Sequence, residues 1–145
     1  MKGLPIIRKF EGCKLKAYIC PAGVVTIGWG STRYEDGSRV RMGDRITQDA
    51  ADLLLLNEYR RFEDHVKRVV TSPINENQLG ALVSFAYNVG LSALAKSTLL
   101  RLVNHSPDNA GVRDQFMRWT RGGGKILPGL VRRRKAEADL YFSKM

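Results

Sequence analysis

Long hydrophobic runs are missing from this 145-residue sequence, as are internal repeats, low-complexity tracts and long linkers. Without about 20 consecutive apolar residues, no transmembrane helix is expected. The opening, MKGLPIIRKFEG, has too short an apolar stretch for a signal peptide and no small-residue cleavage site. The chain is therefore expected to be made in the cytoplasm. Cysteine and histidine are scarce, two of each. Cys13 and Cys20 lack a CxxC spacing, and His65 and His105 lie far apart, so no zinc site is expected. Nor does the sequence carry an RRM-like or other recognisable nucleic-acid-binding signature.

What is present suits one domain, large enough to bury a core without disulfide staples. Hydrophobic residues make up 43% and charged residues 26%, ordinary proportions for a globular protein. The charge balance is less ordinary: Lys+Arg 24 against Asp+Glu 14 gives +10. Such an excess points to a polyanionic partner, whether nucleic acid, an anionic membrane or an acidic cell-wall polymer. Charge alone does not choose among them.

The patterning predicts an α+β fold. Residues 3–11 read as a short amphipathic helix with Ile6, Ile7 and Phe10 inward, stopped by Gly12. Residues 14–40 read as a small antiparallel sheet: Leu15, Ala17 and Ile19 alternate, and Pro21-Ala22-Gly23 and Asp36-Gly37 signal turns. Thr47 is the expected N-cap of a long helix carrying Leu55, Tyr59, Phe62, Val66 and Val69 at steps of three and four, ended by Ser72-Pro73. Beyond it the chain reads as all helical. Asn75 with Gln78 forms a capping box for a helix through Val89, which Gly90 closes. Ser97 starts another helix. Ser106-Pro107 reads as an N-cap with proline at the first position, ahead of Val112, Phe116 and Trp119. Gly122 to Gly124 break that helix, and a basic one runs from about Gly129 to Phe142. The expected organisation is a single domain, 1–145, with a β lobe at 12–46, a connecting helix at 47–70 and a helical lobe from 1–11 and 71–145. A ligand cleft is expected between the lobes.

Glu11 is the candidate general acid. It ends the first helix, where burial and the helix dipole would both raise its pKa. The bland alternative is an exposed glutamate at a helix end. Cys20 has no acid or histidine beside it in sequence, and turn-region thiols are more often inert. Thr26 on a strand is an ordinary β former.

Taken together, the three residues say more. Glu11, eight residues, Cys20, five residues, Thr26, then IGWG resembles the catalytic segment of the phage-type lysozymes. That family has Asp at the middle position, with Cys in a minority. FAYNVG (Phe85 to Gly90), STLLRLVN (Ser97 to Asn104) and RWTRGGGKILPGLVRRRKAE (Arg118 to Glu137) resemble its later motifs, in its order. The resemblance implies a lysozyme-like fold and hydrolysis of the β-1,4 bond between N-acetylmuramic acid and N-acetylglucosamine in peptidoglycan, without a cofactor. It implies Glu11 as the acid, Cys20 in place of the second carboxylate and Thr26 holding the attacking water. It also implies saccharide contacts at Thr32, Tyr87 and Thr98. A neutral thiol cannot supply an aspartate's fixed charge, so either the Cys20 pKa is lowered or neutral sulfur suffices. Some relatives lock this cysteine in a disulfide, and Cys13 is the only candidate redox partner here.

Two readings from other classes stand beside this one. The first is a basic nucleic-acid-binding module, suggested by +10 and VRRRK. The second is a membrane-active protein whose C-terminal helix disturbs an anionic outer membrane. The alternative for that helix is a solvated row of arginines with Leu130, Leu140 and Phe142 packed in the core. On the lysozyme reading the partner is the peptidoglycan glycan strand and no specific nucleic acid. The protein is then expected to be a monomer that reaches the periplasm by a holin-dependent route.

Overall fold

The computed structural model describes residues 1–144. Along the chain run α1 (Leu4–Glu11), β1 (Lys14–Ile19), β2 (Val25–Gly28), α2 (Gln48–Val69), α3 (Glu76–Val89), α4 (Leu91–Lys96), α5 (Thr98–His105), α6 (Gly111–Met117), β3 (Arg121–Gly122), β4 (Lys125–Ile126) and α7 (Pro128–Tyr141). The class is α+β, with antiparallel pairs β1–β2 and β3–β4. Contacts divide the chain into two compact units: Ile7–Arg61, and Met1–Ile6 with the chain from Phe62 on.

In the Ile7–Arg61 unit, α1 stops because Gly12 takes a left-handed φ of 68°. β1 and β2 are joined by residues 20–24, where the Cys20 N–H donates to the Val24 carbonyl at 3.0 Å. The Gly23 N–H donates to the Cys20 carbonyl at 2.8 Å, Pro21 fits the second turn position, and Gly23 supplies φ 81°. The register pairs Tyr18 with Thr26 and Ile19 with Val25. Side chains alternate along a strand, so Tyr18, Cys20 and Thr26 share one face while Ala17, Val25 and Ile27 share the other. The second face forms the core with Val40, and Val25, Tyr34 and Ile46 pack against it. Burying Ile27 there contributes roughly 1.5–3 kcal/mol.

Two expected core residues are not in it: Leu15 is 40% and Ile19 60% exposed. The register shifts between Lys14 and Tyr18, which takes Leu15 out of the alternation. Ile19 lies next to the turn. Thr47 caps α2 as its sequence predicts, accepting from the Ala50 N–H at 3.1 Å.

In the other unit, α3 is buried from Asn77 to Ala86. Its capping box is complete: Asn75 Oδ1 accepts from the Gln78 N–H at 2.8 Å, and Gln78 Oε1 from the Asn75 N–H at 3.0 Å. Gly80 admits the N-terminal segment, because a Cβ there would lie 2.7 Å from the Gly3 nitrogen. Ser97 caps α5 through the Leu100 N–H. Ser106-Pro107 does not start a helix. Ser106 ends α5, and α6 begins at Gly111, whose N–H donates to Asn109 Oδ1 at 2.7 Å. The Gly122–Gly124 segment is a hairpin between β3 and β4, not a bare break.

The largest correction concerns α7. Leu130, Leu140 and Phe142 are only half-buried, whereas Arg133, Arg134 and Glu137 are 2%, 0% and 0% exposed. This helix faces α3, which supplies their partners. Glu137 pairs with Arg133 at 3.3 Å and Arg134 at 3.2 Å, and Ser84 Oγ donates to it at 2.6 Å. Arg133 also donates to the Ser84 carbonyl, and Arg134 donates to Asn88 and stacks 4.9 Å over the Phe85 ring.

Candidate active site

Glu11 is the last residue of α1, and Gly12 turns the backbone away immediately after it. Its carboxyl lies against Gly30: a Cβ there would stand 3.4 Å from Cδ, Oε1 and Oε2 alike. Gly30 also has φ 93°, a conformation that L side chains avoid. Gly28, at φ 64°, stands on the other side of Trp29. The Trp29 Nε1–H donates to Asp52 Oδ1 at 2.8 Å, and Gln48 Nε2 donates to the same oxygen at 3.0 Å. The indole N–H, followed by the Gln48 amide, holds the Asp52 carboxyl below the usual carboxylate range. The Gly28–Gly30 segment behind Glu11 is thereby tied to the first turns of α2.

Cys20 sits at the mouth of the β1–β2 loop. Its thiol is lowered from the ordinary value by the Val24 backbone N–H, then by the Thr26 hydroxyl and the Ala22 N–H. Thr26 is buried, and its hydroxyl also donates to the Val24 carbonyl at 2.9 Å. A hydroxyl has one hydrogen, and here it goes to that carbonyl.

Tyr18, the cross-strand partner of Thr26, is half-buried. Burial pushes its phenol up, and the charges of Glu11 and Cys20 push it further. Tyr18 therefore stays neutral within electrostatic reach of both groups. Neither Tyr18, Gly30 nor the Trp29–Asp52 pair stood out in the sequence. The paired glycines of GWG were the one available signal.

The remaining candidates are placed as follows. Thr32 is exposed and lines a groove of ≈ 440 Å³ with Val24, Val25 and Arg33. Tyr87 is half-buried in the unit from Phe62 on, its ring 5.3 Å from that of Phe62. Thr98, at the start of α5 in that unit, accepts from Arg101 at 2.9 Å. Cys13 and Cys20 are free thiols at opposite ends of β1. A strand rises about 3.3 Å per residue, so seven steps hold the Cα atoms on the order of 20 Å apart. A disulfide needs about 4.4–6.8 Å. This fold does not bring Cys13 to Cys20 as a redox partner. Cys13 Sγ instead lies 3.6 Å from Gln48 Nε2. Among the described residues, no three His, Cys, Asp or Glu side chains are grouped to hold a metal ion.

Residues 8–137 match the family model described as Phage lysozyme. An endolysin of Acyrthosiphon pisum secondary endosymbiont phage 1 is 36% identical over 146 residues, covering 98% of this chain and 96% of its own length. An endolysin of Bacillus phage B103 is 37% identical over 143 residues, and the chain spans about half of it, 52%. Among solved structures, the endolysin from Escherichia coli O157:H7 phage FAHEc1 superposes with TM-score 0.86 at 36% identity, over 97% of this chain and 90% of that one. The muramidase domain of SpmX from Asticaccaulis excentricus gives TM-score 0.84 at 32% identity, over 98% and 95%.

Proposed function

This chain belongs to the phage lysozyme family, and from that premise we propose how its own residues carry out the family's reaction. The protein is an endolysin, a glycoside hydrolase that cleaves peptidoglycan at the β-1,4 bond between N-acetylmuramic acid and N-acetylglucosamine. Glu11 protonates the leaving glycosidic oxygen. Cys20 and Thr26 hold a water that attacks the anomeric carbon, and the sulfur steadies the oxocarbenium-like transition state. As the water adds, its proton passes to the Cys20 thiolate.

The observation that supports this most directly is that Cys20 follows Tyr18 onto the strand face shared with the buried Thr26, where the Val24 N–H and then the Thr26 hydroxyl lower the thiol. These donors favour the thiolate, the form that most resembles the family's aspartate. Tyr18 remains a neutral donor near both catalytic groups. Thr32, Tyr87 and Thr98 bind flanking sugars, and the enzyme works as a monomer. It reaches the wall from the host cytoplasm by a holin-dependent route, and its net charge of +10 favours contact with anionic outer surfaces.

The other two readings both drew on α7 as a basic stripe, the nucleic-acid reading together with the net charge of +10. In VRRRK, Arg133 and Arg134 are buried against Glu137, so two of its four cations are absent from the surface. The test is loss of turbidity in chloroform-treated Gram-negative cells, with product analysis for a new reducing end. Lysis without new reducing ends would contradict the glycosidase reading.

A further inference from the structure

Asp52, in the second turn of α2, is a half-buried acid that the reaction described above does not use. Its Oδ1 accepts from two donors, the Trp29 Nε1–H at 2.8 Å and Gln48 Nε2 at 3.0 Å. Gln48 stands one helical turn earlier on the same face of α2. An amide nitrogen carries two hydrogens, and this one also reaches Cys13 Sγ, at 3.6 Å. Asp52 therefore anchors two separate points of the chain, Trp29 directly and Cys13 through Gln48. The Cys13 link is the weaker, because sulfur is a poor acceptor. Arg8, three residues before Glu11 on α1, adds its positive charge at the same carboxylate.

Both anchored points border the catalytic acid. Cys13 follows Glu11 with only Gly12 between them, and Trp29 precedes Gly30, against which the Glu11 carboxyl lies. Trp29 is also flanked by glycines at positive φ, Gly28 at 64° and Gly30 at 93°. Glycine enters both halves of φ space, so the local backbone does not by itself fix where Gly30 stands. Two contacts with α2 do. Gly28 lies close on the helix, where a Cβ would be 3.4 Å from Ala51 Cβ, and the Trp29 indole is bonded to Asp52. A general acid must hold its proton within hydrogen-bond reach of the leaving oxygen. A misplacement of about 1 Å can cost about 10²-fold in rate.

We propose that Asp52 is a positioning residue for the general acid: by holding the Trp29 indole, it sets Gly30 against the Glu11 carboxyl. The inference rests on the glycosidase reading above. The test measures reducing-end release from peptidoglycan, scaled to the folded fraction, for wild type, Asp52→Ala, Asp52→Asn, Trp29→Phe and the double variant Trp29→Phe/Asp52→Ala. Asp52→Ala and Trp29→Phe should each lower kcat by ~10–10²-fold with KM kept. Asp52→Asn retains an oxygen acceptor and should keep most of kcat. The double variant should be no worse than the poorer single one, because both substitutions remove the same bond. Apart from activity, the Trp29 indole proton, one of only two in the chain, should resist solvent exchange in wild type and Asp52→Asn. It should exchange freely in Asp52→Ala. Unchanged kcat in Asp52→Ala or Trp29→Phe, a loss carried by KM, or additive losses in the double variant would overturn the proposal. So would Asp52→Asn as impaired as Asp52→Ala, or an unprotected indole proton in wild type. If Asp52→Ala does not fold, Trp29→Phe and Asp52→Asn decide by the same criteria. Wild type that releases no reducing ends would instead overturn the glycosidase reading itself.

Discussion

The carboxyl of Glu11 rests against Gly30, whose Cα leaves a Cβ only 3.4 Å from all three carboxyl atoms. Gly30→Ala should therefore fail twice. The left-handed φ of 93° costs on the order of 1–3 kcal/mol, and the added methyl stands against the catalytic acid. Denaturant unfolding should report that loss of stability, and lysis should fall further than the folded fraction accounts for. Wild-type specific activity in folded Gly30→Ala would show that the contact is incidental.

The lowered Cys20 pKa fixes a direction for pH dependence. If the thiolate is the working form, activity falls as pH drops through the thiol pKa. That limb should lie below the usual thiol range, because Val24 and Thr26 hydrogen bonds stabilise the anion. Cys20→Asp should stay active and move the limb to lower pH, since a carboxyl titrates near ~4. Cys20→Ala should be severely impaired across the range. Superimposable profiles for wild type and Cys20→Asp would show that the sulfur works without its charge.

Oxidation gives a sharper separation of the two thiols. With β1 extended between them, mild oxidant should produce no intramolecular Cys13–Cys20 bridge by mass spectrometry of the folded protein. Cys13→Ser should lyse walls at the wild-type rate. A bridged species formed without loss of the folded signal would contradict the strand geometry.

Glu137 offsets two buried guanidiniums, so Glu137→Gln leaves them uncompensated. Breaking one side of a buried ion cluster costs about 3–5 kcal/mol. The expected outcome is a large drop in the denaturation midpoint, far above that of the exposed-pair variant Asp139→Asn. Equal stability for the two variants would mean the cluster is already neutral or hydrated.

That cluster also marks where the sequence stops being readable. Gly12, the Asn75–Gln78 box and the Ser97 cap were legible because each acts through backbone groups within four residues. The burial of Arg133 and Arg134 was not, since Ser84, Phe85 and Asn88 lie about 46–49 positions away. Leu15 and Ile19 misled for a related reason: alternation shows which residues could share a face, not where a two-stranded sheet lacks cover. Ser106-Pro107 looked like a helix start, but the chain passes through a turn first and α6 begins at Gly111, whose N–H donates to Asn109 Oδ1. At the site, Glu11, Cys20 and Thr26 could be grouped only by resemblance to a family pattern. Tyr18, Gly30 and the Trp29–Asp52 bond depend on how the hairpin folds back on α1 and α2. No local periodicity encodes that.

The central claim is that Glu11 supplies the proton for glycosidic cleavage, and purified Glu11→Gln tests it most directly. General acid catalysis contributes ~10²–10⁴-fold, and the amide keeps the shape of the carboxyl against Gly30 while removing its proton. The account predicts a folded variant that still binds cell walls and has lost lytic activity by at least ~10²-fold. Near-wild-type release of reducing ends by Glu11→Gln would contradict it.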